Sequence, residues 1–380
     1  MKIAVVGASG EIGSRLTQHL VMLNQNPRAI SRRRSPRLAR WGSLDFVQAD
    51  MGDERSLTGA LEGCQVVINC IVDKSSSITD RDRVRSNIQG CKNLLEASIK
   101  SRVHRFIHLS SIVVLPPNIT QDILARPFEY SKEQDWYTKA KIETERIALD
   151  FQKKLSICIV RPGIVYGAYI SWSRVAFSRC TTSTVALPES KPSNCYAVHV
   201  DDLVGLLIHL SQPYIGNTGM LYAVNPEHVS WHDFYLGHAD GIGLDRNRVV
   251  LVPASILESK VSANRPGRLK ELLAWLYATP LLPPKMRSSW WLQRMVRLIN
   301  RDAHHNVQGD MLSSHDLLWP SKPELDMYSS SGIFCEEDVG ETLGYSYQIP
   351  FAVGCTNAAD WWNYRIPGVA LGSSRIGNGL

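Results

Sequence analysis

The chain has 380 residues, 44% hydrophobic and 21% charged, a globular composition with length for two domains or one large domain and a cap. Its net charge of +6 is spread along the chain apart from Arg32, Arg33 and Arg34, so no nucleic-acid footprint is expected. Eight cysteines lie scattered, with no C-x-x-C pair and no His/Cys group at metal spacing, so no metal site and no disulfide framework is expected.

The chain enters a strand at once, KIAVV, followed by an amphipathic helix over 12–23 and a second strand, PRAIS. LDFVQAD reads as a third strand, ERSLTGALEG as a short helix closed by Gly63, and QVVINCIV as a buried strand. A long helix follows over 83–100, then the strand HRFIHLSSIVV, a helix around Tyr137 and the strand LSICIVRPGIVYG. Continuous apolar strands alternating with helices imply a parallel sheet covered on both faces, a doubly wound α/β fold. Residues 168–193, rich in Ser, Thr and Arg, read as an irregular loop. HVDDLVGLLIHL reads as a helix, and YAVNPEHVSWHDFY as a strand, a turn and a helix. The expected organisation is a Rossmann core over 1–167 and a smaller cap over 168–365, with the last core elements interleaved at about 194–225. Residues 366–380 read as a disordered tail.

No secretory segment precedes the first strand, and the longest apolar run, LLAWLYATPLLPP, is broken by Pro280 and Pro283. Neither a signal peptide nor a membrane span is expected, and the cytoplasm is the expected compartment. Residues 260–320 are the least regular. Within them Trp290, Trp291, Leu298 and Ile299 alternate with Arg294, Arg297 and Arg301. That pattern reads as a cap helix with its arginines in water; the alternative is contact of residues 288–301 with a membrane surface. His304 and His305 are adjacent, which is poor metal spacing.

Gly7, Gly10 and Gly13 form G-x-x-G-x-x-G between the first strand and first helix. Glycines let the backbone turn tightly and approach a pyrophosphate at the helix N-terminus, which places Gly7, Ser9, Gly10, Glu11, Ile12 and Gly13 at a dinucleotide. An acid ending the second strand would take the ribose 2′-hydroxyl of NAD; this strand ends AISRRR instead. Arg32 and Ser9 can grip a 2′-phosphate with Arg33 or Arg34 behind, so NADP(H) is favoured over NAD(H); the bland reading is a solvated basic turn. Asp50, with Met51 beside it, stands where an acid can accept from the adenine amino group.

Tyr137 and Lys141 are four apart in DWYTKAKIETE and so share a helix face. A neighbouring ammonium is expected to lower the phenol pKa from about 10 towards the working range. Ser111, at the carboxyl end of the preceding strand, faces the ligand crevice of a parallel sheet.

At these residues the chain resembles the extended branch of the short-chain dehydrogenase/reductase superfamily. VVGASGEIG, Asp50 with Asp53, NIQGCKNLLEAS, RFIHLSS, YTKAK, RPGIVYG and HVDD occur in the order seen there, and LGYSYQIPFAVGCTNAADWW is similar to its closing segment. The resemblance implies Tyr137 as acid/base, Lys141 as its partner and Ser111 as the hydroxyl that polarises the substrate. It implies Asn87 as the helix asparagine holding a water behind the lysine, and Pro162, Gly163 and Ile164 as the stretch against the nicotinamide. Asn69, Cys70 and Ile71 replace the small residues usual along the cofactor, and Ile164 replaces the Asn of many nucleotide-sugar members, so RPGIVYG looks closer to hydroxysteroid- and dihydroflavonol-reductase-like members. The expected function is an NADP(H)-dependent oxidoreductase acting on a small-molecule carbonyl or alcohol. The alternatives are a nucleotide-sugar epimerase or 4-ketoreductase and a catalytically silent NADP-binding regulator. A homodimer is compatible with each.

Overall fold

A computed structural model describes residues 1–39, 43–74, 79–116, 130–132, 135–189, 194–216, 218–263, 317–330 and 343–365. The amphipathic segment over 288–301, the histidine pair at 304 and 305 and the tail over 366–380 lie outside the described residues.

The amino-terminal half alternates strand and helix: β1 (Ile3–Val6), α1 (Glu11–Met22), β2 (Arg28–Ser31), α2 (Pro36–Ala39), β3 (Asp45–Gln48), α3 (Glu54–Leu61) and β4 (Val66–Asn69). It continues through α4 (Asp80–Lys100), β5 (Arg105–Leu109), α5 (Trp136–Asp150) and β6 (Ser156–Pro162). With β10 (Met220–Ala223) these strands make one seven-stranded sheet in the order β10-β6-β5-β4-β1-β2-β3. All of its pairings are parallel. The order reverses between β1 and β4, and a ligand crevice opens at such a switch point. Both faces are covered, which is why β1 and β4 are buried at every position. One core packs α1 and α7 (Val200–Leu210) on one face; the other packs α3, α4 and α5 on the opposite face.

Three boundaries differ from the sequence reading. Residues 168–193 are not an irregular loop: they contain α6 (Ser171–Thr182) and β8 (Thr184–Pro188). Ser173, Ala176, Phe177 and Cys180 form its buried stripe at helical spacing, hidden in the sequence by the Ser/Thr/Arg composition around them. Second, RPGIVYG is not one strand. It breaks at Gly163, and β7 (Ile164–Tyr166) leaves the main sheet to pair with β9 (Ala197–His199). A Cβ on Gly163 would lie 1.8 Å from the Tyr196 carbonyl oxygen, so only glycine permits the crossing. Third, the strand through Ser111 ends at Leu109. Ser111 instead caps a 3-10 turn over Ile112–Val114.

The carboxyl-terminal part adds α8 (Trp231–Gly241), β11 (Val249–Val252), α9 (Ala254–Ala263), β12 (Leu317–Leu318), α10 (Lys322–Tyr328) and α11 (Phe351–Arg365). Strands β11, β8 and β12 form a separate parallel sheet. A third core, built on Tyr166, Trp231, Phe234, Tyr235 and Phe351, joins β7, α8 and α11.

Candidate active site

A cavity of about 660 Å³ opens over the switch point. It is lined by Gly7, Ser9 and Gly10 of the β1–α1 loop, Arg32 and Arg33 after β2, Asp50 and Met51 after β3, and Cys70 after β4, and by Asn87 and Lys141. Its size suits a cofactor-sized ligand. Gly7 has φ +86°, where an L side chain is strained, and a Cβ on Gly13 would stand 2.3 Å from the Gly7 carbonyl oxygen. Gly10 caps α1 in an extended conformation without a side-chain hydrogen bond, so no side-chain cap covers the first-turn N–H groups. The glycine loop is therefore a backbone cradle, and it fits a pyrophosphate.

Not every residue expected at the cofactor turns its side chain to it. Ile12 packs against the α1 core. Glu11 accepts from Ser171 N (3.1 Å) and Ser171 Oγ (3.0 Å) at one carboxylate oxygen and from Arg174 Nη2 (2.8 Å) at the other. Neither lines the cavity. Gly13, Ser111, Tyr137, Pro162, Gly163 and Ile164 are also absent from its lining. Arg32 is exposed, its Nη2 4.0 Å from Asp73. Asp50 accepts from Gly52 N at 2.8 Å, which closes a turn at the cavity wall.

Ser111, Tyr137 and Lys141 meet at the carboxyl end of β5. Asp135 caps α5 by accepting from the N–H groups of Tyr137 and Thr138, which sets Tyr137 in the first helical turn. The Ser111 hydroxyl lies by the phenol of Tyr137 and favours its ionised form. The Lys141 ammonium lies 5.9 Å from the Tyr137 ring centre and donates to the Leu109 carbonyl at 2.7 Å. Burial pushes the phenol pKa up, and the neighbouring Ser111 hydroxyl only partly opposes it. Lys141 is not a cause here, contrary to the expectation from helical spacing, because its ammonium points to a backbone carbonyl behind the phenol. Burial instead pushes Lys141 itself down to about 8.

The Asn87 amide is engaged by neighbouring backbone on both of its polar atoms. Its Oδ1 accepts from Asp73 N (2.8 Å), and its Nδ2 donates to the carbonyls of Asp73 (3.2 Å) and Arg83 (2.8 Å). It pins the β4–α4 connection over the cavity.

Sequence reasoning missed one cavity-lining group. Asn69 Nδ2 donates to His108 Nδ1 at 3.2 Å, which leaves Nε2 as the donor to Thr144 Oγ1 at 3.2 Å. Thr144 in turn donates to the Lys141 carbonyl at 3.1 Å. Burial pushes the His108 imidazole down to about 3, so it is neutral at physiological pH. This chain ties the cavity-lining segment at the end of β4 to the turn of α5 that carries Lys141. The available signal was a histidine two residues before the strand-end serines, which an apolar strand does not otherwise need.

Behind α5, Arg161 donates to both carboxylate oxygens of Glu145 (2.9 and 2.6 Å) and to Tyr222 OH (3.0 Å). Both charged side chains are fully buried. The pair fixes α5 against β6.

The model of the NAD-dependent epimerase/dehydratase family matches residues 3–212. A sterol-4-alpha-carboxylate 3-dehydrogenase, decarboxylating, of Dictyostelium discoideum is 25% identical over 177 residues, 44% of this chain and 54% of that protein. The chain thus spans about half the length of that curated relative. In fold it is similar to dTDP-glucose 4,6-dehydratase from Streptomyces venezuelae, solved with NAD and TYD bound (TM-score 0.65, 15% identity, 96% of this chain and 97% of that one). It is also similar to UDP-glucuronic acid 4-epimerase from Bacillus cereus in complex with UDP-glucuronic acid and NAD (TM-score 0.63, 15% identity, 96% and 100%). With a family match over more than half its length, the chain belongs to the NAD-dependent epimerase/dehydratase family.

Proposed function

We propose that this protein is an NADP(H)-dependent oxidoreductase that interconverts a carbonyl and a secondary alcohol, with Tyr137 as its acid/base. The observation that carries the reading is the grouping of Ser111, Tyr137 and Lys141 at the carboxyl end of β5, with Lys141 lining the glycine-loop cavity. A nicotinamide cofactor held by the β1–α1 loop, Arg32 and Asp50 would supply or accept the hydride. In the reducing direction Ser111 donates a hydrogen bond to the carbonyl oxygen, which draws charge off the reacting carbon. Tyr137 then delivers its proton to that oxygen as the alcohol forms. A phenol held protonated by burial is a ready donor for this step. Lys141, buried one helical turn on and lining the cavity, would supply positive charge beside the bound cofactor. Arg32 and Ser9 at the cavity wall would take the 2′-phosphate.

The alternative, a nucleotide-sugar epimerase or 4-ketoreductase, uses the same three side chains and draws on the nucleotide sugars in the solved relatives. The sterol dehydrogenase relative and Ile164 in RPGIVYG favour the simpler alcohol chemistry. One experiment tests both halves of the proposal. The protein is incubated with NADPH or NADH and a panel of ketones, and loss of cofactor absorbance is followed. Net consumption of NADPH is expected, reduced about 10²-fold or more in Tyr137→Phe. Arg32→Ala is expected to weaken NADPH while leaving NADH binding nearly unchanged. Wild-type turnover in Tyr137→Phe would remove the catalytic assignment, and equal losses for the two cofactors would remove the 2′-phosphate assignment.

A further inference from the structure

Glu11 is the first residue of α1, directly after Gly10 of the phosphate cradle. A carboxylate there places negative charge beside the seat of a pyrophosphate, and two anions at such separation repel. The side chain does not point into the cavity. It is taken up by a segment 160 residues later in the chain: Ser171 gives it both a first-turn N–H and a hydroxyl, and Arg174 gives it a guanidinium N–H at 2.8 Å. The approach of α6 to the cradle is held from a second side. Tyr169, just before α6 and at φ +68°, has the Arg37 guanidinium 5.0 Å from its ring centre and the Trp361 ring at 4.9 Å. Arg37 also reaches Ser14 of α1 at 3.5 Å.

We propose that Arg174 is a cofactor-affinity residue supplied from outside the dinucleotide-binding half: it neutralises Glu11 and so makes the cradle acceptable to the dinucleotide's pyrophosphate. The inference rests on the reading that the β1–α1 loop seats a nicotinamide dinucleotide. It goes further, because the phosphate site is electrostatically complete only when α6 is docked. The charge arithmetic distinguishes this role from a plain structural clasp. Removing Arg174 alone leaves the Glu11 carboxylate unbalanced next to the pyrophosphate. Removing Glu11 alone frees a cation near it. A structural clasp would instead lose the same amount from either side.

The test is cofactor binding by the full-length protein, followed by NADPH and NADH fluorescence, with unfolding midpoints measured alongside. Arg174→Gln is expected to weaken binding on the order of tenfold. Glu11→Gln should bind as tightly as the wild type or more tightly. The double variant should recover to within about threefold of the wild type, and the Arg174→Gln loss should shrink as NaCl rises from 50 to 500 mM, as expected for a screened charge effect about a Debye length across. Equal losses in the two single variants, or an Arg174→Gln protein that binds like the wild type, would overturn the proposal. Because both nicotinamide cofactors carry the pyrophosphate, a wild type that prefers NADH would refute the Arg32 reading and leave this test intact. Glu11→Gln keeps the test decisive should Arg174→Gln not fold, since a loss beyond threefold in that variant contradicts charge relief.

Discussion

Lys141 is the residue whose environment says most about the chemistry. It is 6% exposed and gives one N–H to the Leu109 carbonyl, and burial outweighs the pull of Cys91, Glu145 and Cys70 on its charge. A lysine depressed to about 8 is a cation below that pH and neutral above it. The sign of the stability effect follows. Between about 8 and 10.5 the unfolded lysine holds a proton that the folded one has lost, so stability rises with pH across that window. Carbon-13 NMR of the lysine Cε signals in the cofactor-free protein should show one resonance titrating near 8, absent from Lys141→Arg. Titration of every lysine above 10 would contradict the buried placement. The Tyr137 phenol, raised by its own burial, does not compete for that assignment.

Among the elements, α5 carries Tyr137 and Lys141, and its position depends on what lies behind it. The Glu145–Arg161 pair is bidentate and fully buried, and Tyr222 takes a third guanidinium N–H. Breaking such a pair from one side strands a charge without water, at a cost of about 3–5 kcal/mol, whereas replacing both partners by apolar groups is nearly neutral. Arg161→Met should therefore lower the urea unfolding free energy by about that amount, and Arg161→Met with Glu145→Leu should regain most of it. If the double variant is as unstable as the single one, the ion pair is not what fixes α5. In the sequence, Arg161 was visible only as part of RPGIVYG and Glu145 only as a charge on a surface-like helix. A helix reads as solvated or buried only when its neighbours are known. Residues 168–193 failed for a related reason: four buried side chains at helical spacing were outnumbered by Ser, Thr and Arg on the other face of α6.

For the molecule as a whole, α1 is the element onto which later parts of the chain fasten. Glu11 meets α6, while Arg15 and His19 meet Asp201 at the start of α7, with Arg15 Nη2 at 2.8 Å and His19 Nε2 at 3.2 Å. The Arg15 and His19 hydrogen bonds overcome burial and hold the Asp201 carboxyl well below its usual 3.8. A carboxyl with a depressed folded pKa stabilises the protein fully above 3.8 and loses that contribution as pH falls below it. Asp201→Asn should thus be less stable than the wild type at pH 7 in thermal unfolding, with the gap narrowing as pH falls below about 4. A gap unchanged down to pH 2 would show that Arg15 and His19 do not hold the carboxylate.

What the sequence by itself determined is the part written in local code. The parallel doubly wound sheet follows from unbroken apolar strands alternating with helices. The cradle follows from Gly7, Gly10 and Gly13, and the placement of Tyr137 and Lys141 on one helix follows from their four-residue spacing. Only the tertiary structure decided where side chains spend their charge. Glu11 sits in the cofactor motif but turns to Ser171 and Arg174, Lys141 turns to a backbone carbonyl, and His108 links Asn69 to Thr144. Each of these partners is between 32 and 163 residues away in the chain, and no local pattern encodes a contact made only when strands and helices stack. Hydrogen bonding and burial act through space, so the same residue types carry their chemistry only once the fold has chosen their neighbours.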